Sequence, residues 1–273
     1  MCNAYVTGYN GNQQELDYYV LNGTGDEFTP ASSSNAVRPT GAIMVKATDV
    51  SQSVTCSRTV PSTPTPSGIL NIDVMSAYRD GGMLDRARMR FGEGIGLAKF
   101  QLNPNHTKVY IPRDGTDYSV VYVEPMGVIP VNFMAESNGR YTITVSEESV
   151  RFSYLHLIDN KTGIDTDLLR SPSYTFDART TDYESRFKIV FVADDENESD
   201  DESGSFAFYT NGVWIIDNDG ESTLQLIDVT GRMLSSDRIS GCCAKAYQVA
   251  PGVYMLRLVN GNNVRVQKIV VKR

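Results

Sequence analysis

Apolar and polar residues alternate along most of this chain in short runs. Runs of four to eight residues rich in Val, Ile, Tyr, Phe and Thr, bounded by Gly, Asn, Asp or Pro, are typical of half-buried β-strands. Clear examples lie at 17–21, 42–46, 69–74, 119–123, 140–146, 153–159 and 187–192. The best candidate for a helix is the short segment 183–186, which Asp182 could cap. The pattern predicts an all-β fold.

Two breaks in composition divide the chain. Segment 60–68 has three prolines in nine residues, so we expect an extended linker rather than a central strand. Segment 194–204 holds seven acidic residues and no apolar one, which favours a solvated acidic linker. A calcium loop is the alternative for these carboxylates, although the run lacks the ligand spacing and central glycine of an EF-hand.

The segments between the breaks predict two antiparallel β-sandwich domains, Ig-like or jelly-roll-like, joined by the acidic linker. Residues 69–193 have room for about eight strands, and residues 205–273 for six or seven short ones, which suits two-sheet packing. Residues 1–59 contain too few strands for a sandwich of their own. They are either a partial β module or N-terminal strands of the central domain.

The last fifty residues carry a recognisable pattern of short strands and tight turns. It consists of the Ile227-Asp228…Gly231-Arg232 turn, the step 251–254 (PGVY) and the terminal strand 266–271 (VQKIVV). This pattern resembles the C-terminal sorting domain of proteins exported by the type IX secretion system of Bacteroidota. The central block from Asp85 to Phe191 looks like the domain that often precedes this sorting domain in surface proteins of Bacteroides and Prevotella relatives.

The resemblance implies a location and a set of partners rather than a chemical activity. Segment 205–273 would be recognised by the type IX outer-membrane translocon, then removed by a sortase-like peptidase and replaced by a lipopolysaccharide anchor, with processing in the acidic linker. The protein would be secreted or held at the outer-membrane cell surface. The candidate sorting residues are Gly231, Arg232, Gly252, Tyr254 and Lys268. Turn geometry and a solvated edge lysine are the structural alternatives for these residues.

Charge and hydropathy exclude two classes of partner. The net charge is −8, and the acidic linker accounts for almost all of it, so no basic patch for nucleic acid is indicated. No window is long and apolar enough to predict a transmembrane segment. The first residues also lack the basic start and apolar core of a signal peptide, so we expect the C-terminal part of a longer precursor.

Catalytic and metal-binding patterns are missing from the sequence. His106 and His156 lie fifty residues apart, and no nucleophile or zincin motif accompanies them. We therefore predict no enzyme activity, no cofactor and no metal site. Asp159, Asp165 and Asp167 could surround calcium, but turn and cap roles are commoner for such residues. Cys2 and Cys56 could form a disulfide, with buried free thiols as the alternative.

The sequence is also compatible with two other functions. Fifteen tyrosines in a β-rich chain could provide a glycan-binding or adhesin surface in residues 69–193, although core packing explains most aromatic residues. The central block could also be an accessory domain of a larger surface hydrolase. We expect Trp214 to fill the C-terminal core, and Arg186 to form an ion pair at the surface or between domains.

Overall fold

The computed structural model describes residues 4–9, 17–21, 27–32, 35–39, 41–46, 51, 53–58, 68–76, 82–194, 206–210, 213–218 and 220–271. Within these ranges the chain consists of strands, turns and loops without a helix, which confirms the all-β prediction. The described ranges accordingly contain no helix that could cross a membrane. The linker 60–68 and all but the first residue of the acidic linker 194–204 lie outside them.

The strands in chain order are β1 Tyr5–Tyr9, β2 Tyr18–Leu21, β3 Phe28–Ala31, β4 Ile43–Met44, β5 Val54–Ser57, β6 Ile69–Ser76, β7 Met83–Phe91, β8 Leu97–Ala98, β9 Lys108–Arg113, β10 Thr116–Val123, β11 Met126–Met134, β12 Gly139–Glu148, β13 Arg151–Asp159, β14 Ile164–Asp167, β15 Ser173–Ala178, β16 Phe187–Asp194, β17 Ala207–Thr210, β18 Val213–Ile216, β19 Glu221–Asp228, β20 Met233–Ser240, β21 Cys243–Ala246, β22 Gly252–Asn260 and β23 Asn263–Val271.

The strands belong to two compact units. The first unit comprises residues 1–124, 129–150 and 156–189, and the second comprises 125–128, 151–155 and 190–273. The large sheet has the order β14-β13-β16-β11-β9-β10-β7-β6-β12-β15, with β8 also paired to β10. Its pairs β6–β7, β6–β12, β12–β15 and β9–β10 are antiparallel, whereas β7 and β10 run parallel. The expected antiparallel arrangement is therefore wrong at the β7–β10 pair.

An aromatic cluster fills part of the first unit and encloses a charged residue. Phe133, Phe176 and Phe187 pack edge to face with ring centroids 4.8 to 6.3 Å apart. The guanidinium of Arg186 lies 4.5 Å from the Phe176 ring centroid and 5.1 Å from that of Phe187. It also forms a two-point ion pair with Asp159, at 3.1 and 2.8 Å.

The ion pair predicted for Arg186 is present, but its predicted position at the surface or between domains is wrong, because the side chain is only 3% exposed and its partner Asp159 belongs to the same unit. The predicted helix at 183–186 is wrong as well, since these residues form a loop leading into β16. Asp182, the expected helix cap, accepts hydrogen bonds from the Lys161 ammonium and from the Arg179 N–H. The ion pair anchors the end of the loop inside the unit, which overrides the weak local helix signal.

The N-terminal strands pack within the first unit. Tyr19 of β2 is buried with Leu97 and Val120, and half-buried Phe28 and Met44 contact the same cluster. Arg88 and Arg90 of β7, which flank Met89, bring two buried charged side chains into this unit. The Arg88 guanidinium donates to Asn71, and the Arg90 guanidinium pairs with Asp17; both arginines are fully buried. Burial lowers the pKa of Arg88 to about 10.

The second unit contains two small sheets, β17-β18-β21 and β20-β19-β22-β23. Trp214 is fully buried in its core, as predicted, against the rings of Tyr209, Tyr247 and Tyr254. The inward residues of the four-stranded sheet complete this core: Leu224, Leu226, Ile239, Leu256, Leu258, Ile269 and Val271. The alternation of buried and exposed residues along β19 and β22 therefore defines an inner and an outer face of this sheet.

Candidate docking surface on the C-terminal sheet

The outer face of the four-stranded sheet carries an apolar groove, here called the outer groove. It has a volume of about 620 Å³ and is lined by Ile227, Asp228, Val229, Gly231, Val253, Met255, Arg257, Val266 and Lys268. Val229 is 72% exposed and Val266 is 54% exposed. A soluble sheet normally presents polar residues on its solvated face. Contiguous exposed apolar residues rimmed by polar ones instead mark interaction surfaces.

The pairing register places these side chains in cross-strand rows. Ile227 of β19 lies opposite Met255 of β22, which lies opposite Lys268 of β23. In the adjacent row on the same face, Arg257 lies between Gln225 and Val266. Directly opposed side chains on one face are in contact distance. The register therefore builds one continuous surface from three strands.

Two cations interrupt the apolar surface. Lys268 is exposed and forms no ion pair with any residue in the described ranges. The Arg257 guanidinium donates a hydrogen bond at 3.0 Å to the amide oxygen of Gln225, which is a neutral group. The groove therefore combines apolar area with positive charge and suits a partner surface that is apolar with acidic groups.

A tight turn closes one end of the groove. Gly231 has φ of +83°, a conformation that favours glycine, as its position in the sequence predicts. Asp228 accepts hydrogen bonds from the Thr230 hydroxyl, the Thr230 N–H and the Arg232 N–H, and its second oxygen lies 3.1 Å from Arg232 Nε. The hydrogen bond from the Thr230 hydroxyl is the largest cause that lowers the pKa of Asp228. Burial opposes it, but the donors of Arg232 and the Thr230 N–H add to the lowering, so the pKa lies below its ordinary value.

The five candidate sorting residues therefore occupy different positions. Gly231 and Lys268 line the outer groove, whereas Arg232 is exposed beside it on the turn. Gly252 begins β22, and Tyr254 points to the inner face. The Tyr254 hydroxyl donates to the carbonyl of Ala250 at 2.7 Å, and its ring packs edge to face on Trp214. Its contacts are those of a core residue that fixes the 250–254 corner.

The apolar members of the groove were not among the predicted site residues, although the sequence contains a signal for them. In β22 the letters VYMLRLV, and in β23 the letters VRVQKIVV, place apolar residues at both odd and even positions. Continuous apolar runs of this kind are typical of strands covered on both faces. Met255 and Val266 are the outward members of these runs and would have indicated the groove.

The three aspartates considered for calcium have separate partners. Asp159 pairs with Arg186, Asp165 lies 2.7 Å from Nδ1 of His156, and Asp167 accepts from the N–H groups of Leu169 and Arg170. The described ranges contain no group of three or more His, Cys, Asp or Glu residues that could hold a metal ion. The calcium alternative for the acidic linker lies outside the described residues, apart from Asp194.

The cysteines show no disulfide within the described ranges. Cys56 is exposed and Cys243 is half-buried, and both are free thiols. Burial raises the pKa of the Cys243 thiol. The proposed partner of Cys56, Cys2, lies outside the described residues.

Comparisons with known proteins give little further information. No protein-family model matches the chain, and no curated protein matches it. Among solved structures, the dimeric latent PorU from Porphyromonas gingivalis is similar over 99% of this chain, with 10% sequence identity and a TM-score of 0.19. This chain spans 34% of the length of that one. A TM-score this low supports no argument about function.

Proposed function

We propose that this chain is the non-catalytic C-terminal region of a secreted or cell-surface protein, built from two β-sandwich domains. Residues 205–273 direct outer-membrane export and surface anchoring, and the partners are the type IX translocon and a sortase-like peptidase. The sequence resemblance at 227–271 supports this assignment. The outer groove is the structural observation that carries it, because it gives the C-terminal sheet a surface suited to a protein partner.

The groove favours a translocon subunit whose contact surface is apolar and acidic. Lys268 and Arg257 are two basic side chains on an otherwise apolar surface, and Asp228 is already paired with Arg232. Opposite charges across an interface increase specificity and association rate, and apolar groups at its centre dominate affinity. Lys268 carries a charge and lies opposite apolar Met255 in the strand register. We therefore expect it to contribute to the specificity of binding and to the affinity.

Reversal of the charge at Lys268 should reduce surface display. We expect Lys268→Glu in the full chain, carrying an N-terminal export signal and a fluorescent reporter, to lower display about tenfold in a type IX-competent host. This factor corresponds to loss of about 1.4 kcal/mol of binding free energy. Display is measured by surface labelling of intact cells.

Arg238→Glu is the matched control, because Arg238 is an exposed cation of the same sheet outside the groove. It should leave display close to that of the original chain. Equal losses in both variants would contradict a specific role for the groove. Retention of the original chain in the periplasm would contradict the sorting function itself.

A pocket in the first unit supports glycan binding as the second candidate function. It has a volume of about 620 Å³, and its polar lining residues are Asn138, Lys161, Asp177, Arg179, Thr181 and Asp182. Tyr183 follows directly in the chain and is 90% exposed. An exposed aromatic ring next to amide, carboxylate and basic groups suits a sugar, which has apolar faces and hydroxyl edges.

A glycan array probed with the full chain tests this candidate. We expect the chain to bind at least one glycan on the array and the Tyr183→Ala variant to lose this binding. The control variant Tyr209→Phe, which changes a half-buried ring of the second unit, should still bind the glycan. If no glycan on the array is retained, or if both variants bind equally, the pocket is not a sugar site.

A further inference from the structure

A lysine and an aspartate are enclosed together inside the first unit. Nζ of Lys99, just after β8, lies 2.7 Å from Oδ1 and 2.5 Å from Oδ2 of Asp85 in β7. The two side chains are only 6% and 1% exposed. Lys161 and Asp182 form a pair at a similar distance of 2.7 Å, but the Lys161 side chain is 46% exposed. The Asp85–Lys99 pair is thus distinguished by burial rather than by distance.

The main chain around Lys99 is fixed on both sides. The hydroxyl of Tyr19 lies 2.5 Å from the carbonyl oxygen of Ala98 and accepts a hydrogen bond from the Phe100 N–H at 2.9 Å. The Lys99 N–H donates to the carbonyl of Asp117 at 2.7 Å. These bonds hold the lysine stem in the interior, so its amine stays beside the carboxyl group. Held reactants of this kind gain a large effective concentration.

The surroundings of Asp85 favour the chemistry of a neutral carboxylic acid. Burial raises the pKa of this carboxyl group, while the charge and hydrogen bonds of Lys99 act in the opposite direction. Transfer of one proton from the Lys99 ammonium to the Asp85 carboxylate would supply the two groups that amide formation requires, an amine and a carboxylic acid. The carbonyl carbon of that acid is electrophilic, and the amine is a nucleophile.

A backbone donor is aimed at the same carboxyl group. The Val109 N–H donates to Oδ2 of Asp85 at 2.7 Å. Attack of the amine on the carboxyl carbon would place negative charge on one oxygen. An N–H group that already points at this oxygen stabilises the charge as it develops.

We propose that Lys99 and Asp85 join through an intramolecular isopeptide bond. Nζ of Lys99 attacks Cγ of Asp85 and forms a C–N bond, one C–O bond of the acid breaks, and the oxygen leaves with two protons as water. The step conserves the electron count and requires no oxidant, reductant or further reactant. The amide that results ties β7 to the segment after β8 and removes a buried ion pair.

Mass spectrometry of the denatured full chain tests this proposal directly. We expect the intact mass to lie one water molecule below the mass calculated from the sequence. Trypsin should fail to cut after Lys99, because amidated lysine is not a substrate. The digest should therefore contain a branched species in which peptide 80–86 (DGGMLDR) is joined to peptide 91–108 (FGEGIGLAKFQLNPNHTK).

The variants distinguish this bond from other losses of water. Asp85→Asn should still form the amide but release ammonia, giving the same branched peptide. Lys99→Arg should keep its full mass and release separate peptides. A succinimide at an Asp-Gly step such as Asp114-Gly115 also loses water, yet it leaves cleavage after Lys99 intact.

The exposed pair Lys161–Asp182 is the internal control, and no branched peptide should join these two residues. A full-length mass with normal cleavage after Lys99 overturns the proposal and identifies the pair as an ordinary buried salt bridge. Because the mass is read on denatured protein, the original chain decides the question even if a variant fails to fold.

Discussion

Asp159→Asn should destabilise the first unit by about 3–5 kcal/mol, the usual cost of removing one partner from a buried ion pair. Arg186 would stay between the rings of Phe176 and Phe187, where its side chain is 3% exposed. Its remaining acidic neighbour would be Asp182, whose Oδ2 lies 3.5 Å from Arg186 Nη1 and whose side chain is 17% exposed. Asparagine can accept from the guanidinium but cannot neutralise it. The effect is measured by urea unfolding of the full chain followed by far-UV circular dichroism.

Asp177→Asn is the matched control for this substitution. Asp177 pairs with Arg140 at 3.3 Å, but both side chains are more than half exposed. An exposed pair contributes at most about 1 kcal/mol, so this variant should unfold almost like the original chain. If the two variants lose similar amounts of unfolding free energy, burial does not explain the contribution of the Asp159–Arg186 pair to stability.

The difference between Asp159→Asn and the original chain should also depend on pH. Burial acts to raise the pKa of Asp159, but hydrogen bonds from Arg186 and the Lys161 N–H outweigh it, and the pKa lies below its ordinary value. A lowered pKa adds stability that is fully present above about pH 4 and is lost as the pH falls through the folded-state value. The gap between the two chains should therefore narrow below that pH, and a constant gap would contradict the assignment.

Strand positions were predictable because their signal is local. The alternation in segments 140–146 and 153–159 follows from side chains pointing to opposite faces, and both segments form strands at these places. Partners that lie far away in sequence were not predictable in this way. The Asp159–Arg186 pair spans 27 residues, and nothing near Arg186 in the sequence indicates that the loop end is buried.

The candidate site was predicted only in part for a related reason. A glycine in a turn such as Gly231 has a local conformational cause and could be recognised. Strand register, which joins Ile227, Met255 and Lys268 in one row, depends on pairing between strands and cannot be deduced from one strand alone. Tyr254 belongs to the PGVY motif and was therefore predicted as a sorting residue. Its side chain, however, lies on the inner face of the sheet, in the core.

Leu256→Ala should destabilise the second unit by about 2–5 kcal/mol, the range measured for buried leucines. Leu256 is fully buried in the core that contains Trp214, and truncation leaves a cavity there. Because Trp214 is the sole tryptophan of the chain, its fluorescence reports unfolding of this unit. The transition should shift to clearly lower urea concentration.

Met255→Ala is the matched test, since Met255 precedes Leu256 and faces the outer groove instead of the core. A partly exposed side chain leaves no enclosed cavity, so we expect a loss below about 1 kcal/mol. The same variant should reduce surface display, because the groove loses apolar area that the translocon would cover. A large shift in unfolding with Met255→Ala would show that the outer face is a second packed surface of the unit. In that event the apolar residues of the groove would serve the stability of the unit, and the groove would no longer support the sorting function.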